Sequence, residues 1–178
     1  MSDTYKIDQD LREAQAMVEG LARYVRDDQL YGTVGGGGVF SGGKMPALTV
    51  GALVMRLRRL TALAAELTDK QREQLATLTR QHDAVRQEWR HHYEGKLVWE
   101  ANSRLDAMAH FFEECAQDPK LCARVYLPEV LRRTTVAEIL LALGALNTDI
   151  TDIKQKAQRT DARLRRVIQP ATFVWSSA

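Results

Sequence analysis

A regular apolar repeat between Thr135 and Gln169 is the feature that most constrains how this chain can fold. Apolar or small residues recur there at intervals that alternate between three and four without a slip. That is the heptad period of a helix that buries one narrow face against other helices. The seam comprises Val136, Ile139, Leu143, Leu146, Ile150, Ile153, Ala157, Thr160, Leu164 and Val167.

This repeat predicts a long last helix, with two alternatives for its course. Gly144 and Asn147 lie off the seam and could divide it into two helices, although the register continues past both. The stretch up to Ile153 is apolar enough to form core, whereas the residues beyond it are thinly apolar. We expect the first half to be core and the second half to leave the bundle or meet a partner.

Three earlier segments share the period and predict three more helices. The first spans Ile7 to Arg26, and the second runs from Pro46 to about Leu67. Thr68 and Gln71 have the spacing of a capping box, which begins a third helix at Asp69. This helix should continue towards Gln117 with a kink near Gly95 or near Asn102-Ser103.

The connections complete an all-α prediction. Short helices should follow Pro119 and Pro128, and Thr135 with Glu138 forms a second capping-box pattern that opens the last helix. Seven glycines between Gly32 and Gly43 indicate a Gly-rich loop or a small β-hairpin after helix 1. We therefore predict one domain over 1–178, an up-down helical bundle with an excursion at 32–45 and a basic helix and tail at 154–178.

Composition narrows the class of protein. An apolar fraction of 45% with 27% charged residues is ordinary for a folded soluble chain of 178 residues. The formal charge of +2 is too small to require an anionic partner. Because residues 1–10 lack a signal-peptide pattern, we expect a cytoplasmic protein with reduced thiols, in which Cys115 and Cys122 are buried small apolar side chains.

The Gly-rich loop partly matches a phosphate-binding pattern. Residues 38–44 satisfy GxxxxGK, in which backbone amides and a lysine hold phosphate. Met45 replaces the hydroxyl residue that would bind magnesium, and no buried strand precedes the loop, so a nucleotide-triphosphatase is excluded. What remains is an anion site formed by Gly42, Gly43 and Lys44 at the start of helix 2, or a plain surface loop.

The sequence contains one incomplete metal-binding pattern and no recognisable catalytic set. Glu88 and His91 have the Glu-x-x-His spacing of di-iron bundles, but those sites need a second such pair and two further glutamates. No nucleophile and base can be paired from the sequence. We expect no cofactor and no enzymatic activity.

Two features could contact a partner. Trp99 points away from the apolar face of its helix and is a candidate for an exposed contact. Residues 154–168 carry six basic side chains and one acidic side chain, and their spacing spreads the charges over the flanks of the helix. The candidate contacts for nucleic acid or a partner protein are Trp99, Arg159, Arg163, Arg165 and Arg166.

Three hypotheses for function follow from these patterns. The leading one is a non-enzymatic helical interaction or scaffold protein that is oligomeric or part of a larger assembly. The first alternative is an accessory subunit that binds nucleic acid through its basic C-terminal helix. The second alternative is a bundle that binds a metal or a small molecule.

Overall fold

The computed structural model describes the backbone of residues 5–34, 46–117 and 119–165, and the side chains of these except 116, 119–128 and 130. Every regular element in this part of the chain is helical. The helices are α1 (Ile7–Arg26), α2 (Val50–Ala62), α3 (Asp69–Glu88), α4 (Arg90–Gln117), α5 (Pro119–Ala145) and α6 (Thr151–Leu164), and a 3₁₀ turn at Ala64–Glu66 follows α2. The all-α prediction is confirmed.

The described residues divide into two compact units, the first ending at Tyr93 and the second beginning at Glu94. In the first unit α1 packs against both α2 and α3. The apolar seam of α1 contributes to the core of this unit, since every residue of the seam is at most 5% exposed. These residues are Leu11, Ala14, Val18, Leu21 and Val25.

The ends of the Gly-rich excursion are joined by backbone hydrogen bonds. Gly32 and Leu48 form an isolated antiparallel bridge, with N–H to O distances of 2.9 and 2.8 Å. No strand occurs in the described residues. The predicted loop or hairpin proper, together with Gly42, Gly43 and Lys44, lies outside them.

Capping predictions had opposite outcomes at two sites. At Thr68 the box is complete, because the Thr68 oxygen accepts from the Gln71 amide and the Gln71 side chain accepts from the Thr68 amide. The box predicted at Thr135 is wrong. Thr135 lies inside α5, and its hydroxyl donates to the Leu131 carbonyl one turn earlier, at 3.0 Å. The helix also continues through Pro128, so the two predicted short helices are parts of α5.

The helix over residues 69–117 is interrupted at Trp89, earlier than predicted. Trp89 has φ −111° and ψ 34°, outside helical geometry, and separates α3 from α4. Both Gly95 and Asn102 lie within α4. The kink predicted at these two positions is therefore misplaced by at least one turn.

The helix predicted over Thr135–Gln169 is two helices. α5 ends at Ala145, and Asn147 adopts a left-handed conformation with φ 59°. The Thr148 amide donates back to the Leu143 carbonyl at 3.1 Å, which closes the end of α5 as in a Schellman turn. Of the two alternatives, the division at Gly144–Asn147 is the one observed.

The second unit has α5 antiparallel to α6 and α4 parallel to it. Ion pairs fix these directions: Lys156 with Asp106 and Arg163 with Glu113 join α6 to α4, and Arg133 with Asp161 joins α6 to α5. Its core includes fully buried residues of both α4 and α5 and three residues of α6 that are 3–5% exposed. They are Leu97, Ala101, Leu105, Met108, Val136, Ile139, Leu143, Ile153, Ala157 and Thr160. The first half of the seam, up to Ile153, was predicted to be core, and Ile153 is buried. The prediction that the second half leaves the core is wrong for Ala157 and Thr160, which are buried, and for Leu164, which packs against a core cluster.

Candidate functional site

A groove in the second unit brings together residues of α4 and α6 and is the candidate functional site. It encloses about 390 Å³. We call it the α4–α6 groove and define it by Val98, Asn102, Asp149, Asp152, Ile153, Lys156 and Arg159. The predicted contact residue Arg159 is thus part of a concave site.

One wall of the groove is held by Lys156. Its Nζ lies 2.8 Å from Asp106 Oδ1 and donates to Asn102 Oδ1 at 3.2 Å. The Asn102 side-chain amide in turn donates to the Val98 carbonyl at 3.0 Å. Because these bonds occupy the ammonium group, Lys156 fixes α6 on α4 and contributes little free charge.

Arg159 is exposed, and among the described residues no ion pair involves it. Arg163, one turn later, instead pairs with Glu113 at 2.8 Å. Arg159 is therefore a guanidinium available to a ligand anion.

The other end of the groove is acidic. Asp149 Oδ1 accepts from the Thr151 amide at 3.0 Å and from its hydroxyl at 2.8 Å. These two hydrogen bonds, the backbone one first, hold the pKa of Asp149 below its ordinary value. Asp149 is consequently a fixed carboxylate, and the exposed Asp152 adds a second negative charge beside it.

Trp99 is exposed as predicted, with 46% of its surface accessible. The Lys96 ammonium lies 5.5 Å from the centre of its ring, close enough for a cation–π interaction. Trp99 precedes Asn102 by three residues, so the two occupy neighbouring positions on α4. The structure thus places this predicted contact next to the groove.

The basic residues of α6 do not form one stripe. Lys156 and Arg163 are paired with carboxylates of α4, whereas Lys154, Arg159 and Arg165 are exposed. Arg166 lies outside the described residues. Such a pattern favours weak, salt-sensitive contact over a continuous phosphate-binding surface, and the nucleic-acid alternative stays a prediction.

The weak metal candidates Glu88 and His91 are both exposed. In the part of the chain that the structure describes, no three His, Cys, Asp or Glu side chains are placed to hold a metal ion. Cys115 is disulfide-bonded, so the prediction of reduced thiols is wrong there. The burial predicted for Cys115 is confirmed at 3% exposure, and the Cys122 side chain lies outside the described residues.

Sequence reasoning missed a buried charge cluster in the first unit. Asp10 accepts from the Tyr5 hydroxyl at 2.6 Å and from Arg59 Nε at 2.8 Å, and lies 3.3 Å from Arg56 Nε. Its side chain is 6% exposed, and the cluster borders a cavity of about 290 Å³. Burial and the hydrogen bond to Asp10 raise the pKa of Tyr5.

A signal for this cluster was present in the sequence. Asp10 and Glu13 are three residues apart on one helix, and Arg56 and Arg59 have the same spacing on the next. In antiparallel helices such pairs can meet, and the Arg56 guanidinium does lie 2.6 Å from Glu13.

A second buried polar pair lies beside the interruption at Trp89. His82 Nε2 and the Tyr93 hydroxyl are 2.7 Å apart, and His82 Nδ1 lies 3.1 Å from Asp83 Oδ1. Because a carboxylate only accepts, Nδ1 carries the hydrogen and Nε2 accepts from Tyr93. His82 is itself buried, with 5% of its surface exposed.

Acidification should destabilise the first unit through His82. Burial lowers the pKa of His82 from its ordinary value of 6.5. The unfolded chain therefore binds a proton at a higher pH than the native chain does, and the free energy of unfolding falls as the pH drops below about 6.5. Each pH unit costs at most about 1.4 kcal/mol until the native pKa is reached.

Urea unfolding measured between pH 7.5 and pH 5 checks this prediction. His82→Gln removes the titrating group and should flatten the pH dependence, whereas His110→Gln, an exposed position, should leave it unchanged. An equally steep acid loss in the His82→Gln variant would contradict the assignment.

No described helix has an apolar stretch long enough to cross a lipid bilayer. Comparison of the chain with protein-family models, curated proteins and solved structures finds no match.

Proposed function

We propose that this protein is a non-enzymatic helical interaction protein that self-associates through the outward face of α5. The observation that carries the proposal is Leu141, an aliphatic side chain that is 65% exposed. Large aliphatic side chains this exposed at the centre of a helix face are typical of contact surfaces when their neighbours are also apolar. The role is that of a scaffold or assembly subunit in an up-down helical bundle.

The neighbours of Leu141 support a contact surface. Val136, Ile139 and Leu143 form the buried face of α5, and the opposite face carries one charged residue among six positions. A helix that is apolar on both faces is normally enclosed by other helices. The positions of this opposite face are Leu131, Thr134, Ala137, Glu138, Leu141 and Ala145, of which the first and the last two are exposed and the other three are half-buried.

The face also has the shape needed to bind a second copy of itself. Leu141 projects between small residues, and a Cβ atom added to Gly144 would meet nothing within 4 Å. In an antiparallel pair whose two-fold axis passes midway between Leu141 and Gly144, each leucine enters the shallow space beside Gly144 and Ala145 of the other copy. A symmetric dimer requires this kind of self-complementary patch.

Charge placed at Leu141 should prevent self-association. We expect wild-type protein to sediment as a dimer or larger species at micromolar concentration, and Leu141→Glu to weaken association about 30-fold, as for a central interface residue worth about 2 kcal/mol. Tyr31→Glu is the matched control, since Tyr31 is a 50% exposed aromatic residue of the first unit. A monomeric wild type, or equal effects of the two substitutions, would overturn the proposal.

The cytoplasmic location and the nucleic-acid alternative stay predictions beside this proposal. Gel mobility of short DNA and RNA at low salt separates the two partner classes. If the protein binds only through α5, the gel mobility of the DNA and RNA stays unchanged. It is then the same with wild-type protein and with Leu141→Glu. Binding that is weakened by Arg165→Ala and by added salt would favour the nucleic-acid reading.

A further inference from the structure

We propose that the α4–α6 groove binds a short peptide with free termini, about three residues long. This inference goes beyond the proposed self-association and is independent of it, because the groove and the outward face of α5 share no residue. It rests on the order of the charges along α6, on the spacing of these charges and on the apolar residues that line the groove.

Charge changes sign along the groove. Asp149 and Asp152 lie at its beginning, and Arg159 lies two helical turns after Asp152. No ion pair among the described residues involves these three side chains. The groove therefore offers two carboxylates at one end and one guanidinium at the other, which matches a ligand with an ammonium group and a carboxylate at opposite ends.

The spacing sets the length of the ligand. Seven residues separate Asp152 from Arg159, which is about 10 Å along a helix axis. An extended peptide of three residues spans about the same distance between its termini. A free amino acid is too short to reach both ends, and a longer peptide would place one terminus beyond the groove.

The apolar lining of the groove lies next to its acidic end and suits a peptide with an apolar side chain near its amino terminus. Val98 and Ile153 form this lining, and Ile153, which directly follows Asp152, is buried at 5% exposure. The volume of about 390 Å³ is within the range of small-ligand sites. Arg159 can bind a terminal carboxylate through two parallel hydrogen bonds, which a lysine at the same position could not form.

Titration of ¹⁵N-labelled full-length chain with Ala-Leu-Ala tests the proposal. Exposed ion pairs are individually weak, so we expect a Kd of about 1 mM, with shifts concentrated in the amides of residues 98–102 and 149–159. Amidation of the peptide carboxylate and acetylation of its amine should each weaken binding about fivefold. Equal shifts with the doubly blocked peptide, or none at about 10 mM peptide, would overturn the proposal.

Variants then assign the two ends. Arg159→Gln should weaken binding of the free peptide about fivefold and have no further effect on the amidated one. Arg165→Gln changes the net charge equally at an exposed position of the same helix end and should leave the Kd unchanged. Asp152→Asn should act on the free peptide and not on the acetylated one. If a substitution and the blocking group at the same end of the peptide weaken binding independently of each other, that residue does not bind that terminus. This outcome has the same meaning for monomeric and for self-associated protein.

Discussion

Replacing Asp10 by Ala should lower the free energy of unfolding by about 3–5 kcal/mol, because it removes the buried carboxylate beside Arg59 and one of the two carboxylates beside Arg56. The Arg56 and Arg59 side chains are only 12% and 17% exposed, and both lie within 3.3 Å of the Asp10 carboxylate. Tyr5 would also lose the acceptor of its hydroxyl. Urea unfolding followed by far-UV circular dichroism measures the loss.

Asp8→Ala is the matched control for Asp10→Ala. Both aspartates lie in the first turn of α1, so each substitution removes one favourable charge from the same helix N-terminus. Asp8 is exposed and accepts one hydrogen bond from Gln71, at 2.7 Å, so its loss should cost less than about 1 kcal/mol.

A second substitution tests the cause of the loss. Arg59→Met in the Asp10→Ala background removes the buried guanidinium that Asp10 had neutralised and should restore part of the stability. If the losses in free energy of unfolding from Asp10→Ala and Arg59→Met are additive, the buried charge cluster does not stabilise the first unit. The same holds if Asp8→Ala and Asp10→Ala lower the free energy of unfolding equally.

In the first unit α1 and the start of α3 could be predicted closely because local signals and burial agree there. The second helix was predicted from Pro46 to about Leu67, but α2 begins at Val50, where Thr49 caps it, and ends at Ala62. The apolar period of α1 coincides with its buried face, and the Thr68 capping box marks the start of α3. Prediction failed at Thr135, where the same capping-box spacing as at Thr68 occurs in different structural surroundings. Thr135 and Glu138 have capping spacing, yet the preceding residues are already helical, so the Thr135 hydroxyl bonds within the helix.

The course of the chain along the seam from Val136 to Leu164 could not be predicted, for a related reason. Periodicity records which residues are buried and carries no information about the direction of the chain. α6 buries Ile153 and Ala157 after a reversal at Asn147, and the number of residues in the turn happens to preserve the heptad count. The left-handed conformation at Asn147 decides the topology, and Asn is among the few residues that adopt it readily.

The candidate site was predictable only in part. Exposure of Trp99 and Arg159 followed from their positions off the apolar faces. The groove that Arg159 shares with Val98 and Asn102 depends on how α6 packs along α4, which could not be derived from the sequence. Neither the groove nor the buried bond between His82 and Tyr93 could be derived without that tertiary arrangement.

Breaking the disulfide at Cys115 should destabilise the second unit by about 2–4 kcal/mol. Cys115 is 3% exposed and packs in a cluster with Met108, Phe111 and Phe112, against which Leu164 is also packed. The bond therefore ties a buried part of α4, and α6 depends on the same cluster. Thermal unfolding with and without a reductant, on wild type and Cys115→Ala, measures the effect.

Comparison of the reductant's effect on the two proteins isolates the disulfide from side-chain packing. Reductant should lower the Tm of wild type and leave that of Cys115→Ala unchanged, because the variant has no bond to break. Disulfides persist mainly in oxidising compartments, so thiol labelling of the protein isolated from its own cells also tests the predicted cytoplasmic location. Two reactive thiols with an unchanged Tm would show that the chain does not use this bond, whereas unlabelled thiols would count against a reducing compartment.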